Sequence, residues 1–212
     1  MSGLSFRKAS LADIDFVARA IAEAERSGTP RALYERVFDL SAAQFEAILK
    51  AMLNEELPGS ELGCDQFWLA TDGSAVAGGL AAWIEGAPAS GFVRANSWAH
   101  ALGAERWAAA APRLRRLREV DLPREAGALQ IEAVYVAPEY RGRKIVAALI
   151  EAAWAALPAN KAQILSMIEN EASARAFRGA GFDVVKRSQT VNEELLAILP
   201  GSGRLLWERA RP

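Results

Sequence analysis

The sequence predicts a single α/β domain in which helices flank both faces of a mixed central sheet. The first observation is a β-α-β unit: IEAVYV at 131–136 and AQILSMIE at 162–169 are buried-strand patterns separated by a mostly apolar helical pattern. The second is FWLATDGSAVAGGLAAWIEG at 67–86, where two β-prone runs flank Asp72-Gly73 and predict a hairpin with a type I′ turn. A chain of 212 residues is long enough for one buried core and does not require a second domain.

The segment before the hairpin is predicted to be a short strand followed by helices. Residues 3–8 have the strand pattern. Ser10 and Ser41 each precede an apolar helical pattern, with Asp or Gln three residues on, which is typical of helix capping boxes. Pro30 is expected at the first position of the helix between them, because proline costs no hydrogen bond there. We therefore expect residues 10–57 to be mostly helical.

The segment after the hairpin is predicted to contain an insertion and then further strands and helices. Residues 86–127 continue from proline, glycine and serine into an alanine- and arginine-rich pattern, which predicts a helical insertion broken at Pro112. Beyond the β-α-β unit, NEASARAFRGAGF predicts a short helix that ends at Gly181. Another strand and a short helix follow, and RLLWERA at 204–210 predicts the last strand.

Composition and charge exclude several classes of protein. The net charge is −1, and the arginines at 113–118 alternate with apolar residues, so we expect a solvated helix face and no nucleic-acid partner. No apolar run is long enough to cross a membrane, and the charged amino terminus lacks a signal-type apolar core, so we expect no membrane partner and a cytoplasmic location. Cys64 and His100 are the only cysteine and histidine, so no disulfide or multi-histidine metal site can form and no metal is expected.

The loop after the strand at 131–136 is a candidate anion site. A strand that ends at Val136 and a helix that starts near Gly142 point several free backbone N–H groups at one spot. Arg141, Arg143 and Lys144 add cations within the same turn, so a pyrophosphate would suit it. The alternative is an ordinary strand-to-helix turn with a solvated basic face.

Two motifs resemble the GNAT acyltransferase superfamily, whose members move an acyl group from coenzyme A to an amine. The family's Val-x-Pro-x-Tyr-Arg-Gly turn and Arg/Gln-x-x-Gly-x-Gly/Ala segment read VAPEYRGRKIV here, from Val136 to Val146. The family's Asn-x-x-Ala-x-x-Leu-Tyr-x-x-x-Gly-Phe helix is matched by Asn170, Ser173, Ala176, Phe177, Gly181 and Phe182. The close resemblance covers residues 131–182, and the order of the remaining elements also fits a GNAT-like fold.

The resemblance assigns cofactor-binding positions to this chain. It implies that the backbone of Val134 and Val136 pairs with pantetheine and that Asn170 and Phe177 lie near the pantetheine arm. It also implies that the coenzyme's pyrophosphate is held by the six residues of the loop: Arg141, Gly142, Arg143, Lys144, Ile145 and Val146.

Three residues depart from the family pattern. Lys144 stands for a glycine, but lysine also supplies a backbone N–H, and its ammonium can approach phosphate. Val146 stands for a glycine or alanine, so its methyl groups are expected to crowd the coenzyme and displace it slightly. Phe177 stands for the tyrosine that many members use as general acid, which leaves Ser173, Tyr34, Tyr135, Tyr140 or water as the proton donor.

Glu132 is the candidate general base. It is a lone carboxylate in an apolar strand, on the same face as Val134 by strand alternation, and acyl transfer needs a neutral amine. An amine of pKa about 10 needs roughly 4 kcal/mol to be neutral at pH 7, so a proton acceptor is valuable. The alternative is a glutamate that pairs with an arginine or faces solvent.

These observations predict an acetyl-coenzyme A dependent N-acetyltransferase with a small amine as acceptor. The acceptor is expected to enter between the amino-terminal helices and the insertion, because the resemblance implies that these regions form the acceptor side. Two alternatives stay open: a coenzyme A-binding regulatory module without turnover, suggested by Val146 and Phe177, and a transferase that acts on a protein amino group. The oligomeric state is also open, and a homodimer is compatible with the sequence.

Overall fold

The computed structural model describes residues 3–55, 60–86 and 90–211, without the side chains of 90–92. The strands in this part of the chain are β1 (Leu4–Lys8), β2 (Phe67–Asp72), β3 (Ala75–Ile84), β4 (Leu129–Val136), β5 (Lys161–Met167), β6 (Asp183–Gln189) and β7 (Gly203–Ala210). The helices are α1 (Ile14–Arg26), α2 (Leu33–Val37), α3 (Ala42–Asn54), α4 (Ser90–Leu102), α5 (Ala104–Leu117), α6 (Ile145–Ala156), α7 (Glu171–Gly179) and α8 (Glu193–Leu196). The last two residues of the predicted 10–57 helical region, and 87–89 of the insertion, lie outside the described residues. No described helix is both long and apolar enough to cross a membrane.

The strands form one seven-stranded sheet in the order β1-β2-β3-β4-β5-β7-β6. The pairing of β4 with β5 is parallel, and the other neighbouring pairs are antiparallel. The β4–β5 register runs only from Leu129↔Ala162 to Ile131↔Ile164. Beyond Ile131 the two strands separate, which leaves the last five residues of β4 without a partner on that side. The predicted mixed sheet is therefore confirmed, and it contains a gap at its centre.

Helices cover both faces of the sheet, as predicted. On one face, α1 to α5 pack over a core that contains Val17, Phe45 and Trp98. On the other face, α6 and α7 pack over a core that contains Leu149 and Phe177. We call these the α1 face and the α6 face of the sheet. The apolar spacing of α1 and α6 explains this division, because each helix buries a continuous stripe against the strands.

The insertion is helical and belongs to the α1 face. Its helix α4 contributes Trp98, whose ring lies 4.9 Å from Phe38, 5.2 Å from Tyr34 and 6.0 Å from Phe45, measured between ring centroids. Aromatic pairs at these distances stabilise by about 0.5–1.5 kcal/mol beyond area burial. The insertion is thereby fastened to the amino-terminal helices α2 and α3.

Two predictions about prolines were wrong. Pro30 lies before α2, which begins only at Leu33, because the Thr29 hydroxyl donates hydrogen bonds to Arg26 and Arg31 carbonyls and holds a bend. Pro112 lies inside α5 and does not break it. The helix buries Ala110 and Leu117 on either side of this exposed proline, and that burial offsets a cost of about 3 kcal/mol.

The hairpin forms, but its turn differs from the predicted type. The register Asp72↔Ala75 leaves Gly73 and Ser74 as the central residues. Gly73 has a φ of +60°, and Ser74 is not among the described residues with positive φ. A type I′ turn needs positive φ at both central residues, whereas a type II′ turn needs it only at the first. The turn is therefore of the II′ kind.

Candidate functional site

A bulge in β4 shapes the centre of the molecule. Ala81 pairs with Glu132 and Gly79 pairs with Tyr135, so β4 contains one more residue than β3 between these pairs. The extra residue is Ala133, which has a φ of +49°. A bulge bends the strand and reverses the alternation of its side chains. Residues with strained backbone of this kind are often found at functional sites.

The bulge overturns one prediction from the sequence. Ala133 and Tyr135 pack on the α1 face, while Val134 and Val136 pack on the α6 face. Glu132 also lies on the α1 face, where its carboxylate meets arginine side chains. Glu132 and Val134 therefore point to opposite faces, because alternation by two holds only in a strand without a bulge.

The backbone of β4 beyond the bulge is directed into the gap. The N–H of Ala137 donates to the carbonyl of Ala77 on β3 at 3.0 Å. Because the direction of backbone hydrogen bonding alternates along a strand, the polar groups of Val134 and Val136 face the other side, toward β5. The Val136 carbonyl accepts a hydrogen bond from Arg141 Nε at 3.2 Å. The gap therefore offers the backbone of the two residues that the sequence assigned to pantetheine.

The loop after β4 concentrates unpaired donors. A single turn from Pro138 to Tyr140 is followed by Gly142, with a φ of +79°, and Lys144, with a φ of +57°, before α6 begins. Among the described residues, the backbone N–H groups of residues 142–147 have no hydrogen-bond partner, and the first bond after them runs from Ala148 to the Lys144 carbonyl. These donors coincide with the positive end of the α6 dipole.

The side chains of this loop add positive charge. Arg141, Arg143 and Lys144 are all exposed, and the Arg143 guanidinium lies 5.0 Å from the centroid of the Tyr140 ring. Ile145 is buried, and Val146 is half-buried against the α6-face core. Part of the Val146 side chain is thus used for packing, and its predicted crowding of the coenzyme stays a prediction. The six residues of the loop can surround an anion with amides and cations.

A glycine on β3 sets how closely α6 approaches the sheet. A Cβ atom at Gly78 would lie 3.0 Å from the Tyr135 carbonyl oxygen, 3.2 Å from a Val136 methyl and 3.3 Å from an Ile145 methyl. Contacts this close are tighter than most carbon contacts, so a larger residue at this position would have to push β4 or the start of α6 aside by a few tenths of an ångström.

Asn170 and Phe177 have roles in the fold itself. The Asn170 side chain caps α7, accepting a hydrogen bond from the Ser173 N–H at 3.1 Å. Phe177 is buried, with its ring edge-on to Trp207 at 5.9 Å between centroids. Their nearness to a pantetheine arm stays a prediction.

A cavity of about 170 Å³ opens on the α1 face of the gap. The bulge residue Ala133 and Ser166 of β5 lie in its wall, so it borders the gap between the two strands. Its ionisable lining groups come from six separate elements, namely α1, α2, α4, the loop before β4, β4 and β7: Glu25, Tyr34, Arg94, Arg124, Glu132 and Arg204. The amino-terminal helices and the insertion therefore meet at this cavity, where the sequence predicted that the acceptor would enter.

Glu132 is part of a network of ion pairs. One carboxylate oxygen contacts Arg124, and the other lies 3.8 Å from Arg94. Buried Glu61 joins the same arginines, at 2.9 Å from Arg94 and 3.5 Å from Arg124. Glu85 lies 3.7 Å from Arg124. Both oxygens of Glu132 thus face guanidinium groups, which is the alternative that the sequence left open for this residue.

Sequence reasoning missed Glu25 of α1 and passed over Tyr34 as only one of several donors. Burial raises the pKa of the Glu25 carboxyl, and the positive charges of Arg204 and Arg94 only partly oppose it. Burial also raises the pKa of the Tyr34 phenol. A signal for Glu25 was present, because it follows Val17 and Ile21 at four-residue spacing and so continues the apolar face of α1.

Comparison with known proteins identifies the family and the fold. The sequence model of the acetyltransferase (GNAT) family matches residues 34–182. No curated protein matches the chain. One similar solved structure is an N-acetyltransferase from Staphylococcus aureus Mu50, at 13% identity and a TM-score of 0.59, with 97% of this chain and 100% of that chain covered.

Two further structures have the same fold. A serine-to-alanine mutant of agmatine N-acetyltransferase in the apo form has 13% identity and a TM-score of 0.56, with 99% of this chain and 100% of that chain covered. The NatC complex bound to Gag peptide and CoA has 13% identity and a TM-score of 0.51, with 99% of both chains covered. At these identities the likeness concerns the fold alone.

Proposed function

Because the chain belongs to the acetyltransferase (GNAT) family, we propose that it transfers an acetyl group from acetyl-coenzyme A to the amine of a small molecule. The proposal rests on one observation: the loop, the gap in the sheet and the cavity adjoin one another. A loop of unpaired amides and cations leads to a gap lined by strand backbone, and the gap borders a cavity with ionisable walls. A long cofactor with an anionic pyrophosphate and an extended thioester arm, and a compact acceptor, fit these features in that order.

The described residues suit coenzyme A. Amides of residues 142–147 and the side chains of Arg141, Arg143 and Lys144 would hold the pyrophosphate. The backbone of Val134 and Val136 would pair with the two amides of pantetheine in the gap. The coenzyme supplies the activated acetyl thioester, and the chain orients it toward the α1-face cavity.

The size of the cavity favours a small acceptor. About 170 Å³ corresponds to the volume of about six liquid waters at roughly 30 Å³ each, enough for a compact amine. A similar structure is an agmatine N-acetyltransferase, which acts on a small amine by its name. The NatC complex with a bound peptide represents the alternative, a protein amino group.

The acceptor must lose a proton before it attacks the thioester. The cavity offers carboxylates for this step, and Glu132, the candidate from the sequence, lies in its wall. General-base catalysis of this kind contributes about 10²–10⁴-fold to rate. Its ion pairs with Arg124 and Arg94 place a guanidinium group beside each of its carboxylate oxygens.

Coenzyme binding is the first experimental test. Coenzyme A should raise the melting temperature by mass action, and Arg141→Ala should weaken binding about tenfold, as expected for loss of one hydrogen bond to a charged group. Arg115→Ala is the matched control, because Arg115 is exposed on α5, away from the loop. Equal binding by wild type and Arg141→Ala, or no thermal shift at millimolar coenzyme, would contradict the proposed site.

Turnover separates the candidate functions. Release of free thiol from acetyl-coenzyme A with simple primary amines supports the proposal. Coenzyme binding without thiol release for any amine or peptide would favour a regulatory module, and release with peptides alone would favour a protein amino group as acceptor.

A further inference from the structure

We propose that Glu25, and not Glu132, accepts the proton of the acceptor amine. This inference rests on the proposed acetyltransfer and names a catalytic residue for it. Glu25 lies near the carboxyl end of α1, and the helix packs against β4. Glu25 lines the same cavity as Glu132 and the bulge residue Ala133, so both glutamates border the space next to the gap.

The partners of the charged groups distinguish the two glutamates. Arg94 and Arg124 are shared by Glu61, Glu85 and Glu132. Arg204 pairs with Asp121 at 2.5 Å. In the part of the chain that the structure describes, the Glu25 carboxylate has neither an ion pair within 4.0 Å nor a hydrogen bond. Its oxygens are therefore free to approach an amine in the cavity.

The surroundings of Glu25 also suit a base that works near neutral pH. The ionisable groups that line the cavity with it are Tyr34 of α2, Arg94 of α4, Glu132 of β4, Arg204 of β7 and Arg124. Burial raises the pKa of the Glu25 carboxyl, and Arg204 and Arg94 oppose this rise. A base whose pKa lies closer to the working pH transfers protons with a better driving force.

The proposed reaction is a proton transfer followed by acyl transfer. The acceptor enters as an ammonium ion and gives one proton to a Glu25 oxygen, which leaves a neutral amine. The amine nitrogen attacks the thioester carbonyl carbon, forming the N–C bond, and the C–S bond then breaks. The second proton on nitrogen goes to the departing thiolate, and Glu25 returns the first proton to solvent. One acetyl amide, one free thiol and one proton are produced per turnover.

The test compares three variants of the full chain: Glu25→Gln, Glu132→Gln and Glu23→Gln. Glu23 is the matched control, since it lies on the same helix and its carboxylate pairs with Arg26. The assay is thiol release from acetyl-coenzyme A with propylamine and putrescine, from about pH 5 to about pH 10, which spans carboxyl and amine titration. Coenzyme affinity is measured separately for each protein.

Glu25→Gln should lower kcat/KM at pH 7 by about 10²-fold. It should leave coenzyme affinity unchanged. Without this base only the neutral amine reacts, so the rate of Glu25→Gln should fall about tenfold per pH unit at every pH below the amine pKa, whereas the wild-type rate should fall only below the pH at which Glu25 becomes protonated. The loss should therefore shrink as the pH approaches about 10, where the amine is neutral without help. Glu132→Gln and Glu25→Asp should keep the shape of the wild-type pH profile, Glu25→Asp at a reduced rate, and Glu23→Gln should behave as wild type.

Three outcomes would overturn the inference. Glu25→Gln with the wild-type rate across the pH range refutes it directly. A rate that falls with pH over the whole range below the amine pKa in Glu132→Gln, or in Glu25→Asp at normal coenzyme affinity, assigns the proton to another group. Absence of thiol release by the wild-type protein overturns the proposed function and the inference with it, so the two failures are distinguishable.

Discussion

Lys144 allows backbone strain and charge to be separated at one position of the loop between β4 and α6, where we propose that coenzyme A binds. The residue has a φ of +57°, in the left-handed region, where an L-residue costs about 1–2 kcal/mol. Glycine reaches this region without that cost but loses more freedom on folding. We expect Lys144→Gly to raise the free energy of unfolding by about 0.5–1 kcal/mol. For a chain of 212 residues this corresponds to roughly 1–4 °C in melting temperature.

The same substitution should weaken coenzyme binding. The Lys144 ammonium is exposed and adjacent to the unpaired amides, so its attraction to phosphate is worth about 0.2–1 kcal/mol, or up to about fivefold in Kd. Lys144→Ala is the control, because alanine removes the ammonium and keeps the strained backbone. The two variants should lose the same affinity, and the loss should shrink at high salt.

Thermal unfolding without coenzyme and calorimetric titration with coenzyme A measure the two effects independently. Only Lys144→Gly should melt above the wild type. If Lys144→Gly and Lys144→Ala melt at the same temperature, the lysine backbone is unstrained and the conformational argument is wrong. If both variants bind coenzyme as tightly as wild type, the ammonium does not approach the phosphates.

Three further predictions concern the loop and the packing around it. Val146→Gly should tighten coenzyme binding although glycine costs the helix roughly 1 kcal/mol, and weaker binding in a titration would mean that the valine is accommodated. Gly78→Ala should lower the free energy of unfolding by about 1–3 kcal/mol, because its Cβ would lie 3.0 Å from the Tyr135 carbonyl oxygen. Gly179→Ala is the control, because a Cβ there meets open space and should not lower the free energy of unfolding. Thermal unfolding of the two variants measures the difference. Hydrogen bonds from Arg7 lower the pKa of Asp13 from 3.8 to about 2, so Asp13 stabilises the fold above pH 4 by about 1–2 kcal/mol, and this contribution is lost as the pH falls through about 2. Unfolding free energies of wild type and Asp13→Asn should therefore converge at low pH, and a constant difference would contradict the assignment.

The sequence by itself determined the elements that depend on chain neighbours. The capping boxes at Ser10 and Ser41 form as predicted, because their hydrogen bonds join residues only three apart. The β-α-β unit and the loop before α6 also follow from local features: apolar periodicity, a proline turn and a helix start. The family was recognisable from the loop and the helix after β5, since these motifs name residue types at fixed short spacings.

Only the tertiary structure decided which side chains meet. Whether β4 is regular or bulged depends on its register with β3, and the bulge at Ala133 turned Glu132 away from the face of Val134. Pairing of Glu132 with Arg94 and Arg124 depends on how the insertion packs. Glu25 lines the cavity because α1 packs against β4, the strand that contains Glu132. These contacts join residues of different elements, and the periodicity within one element carries no information about them, because each contact depends on the packing of several elements at once.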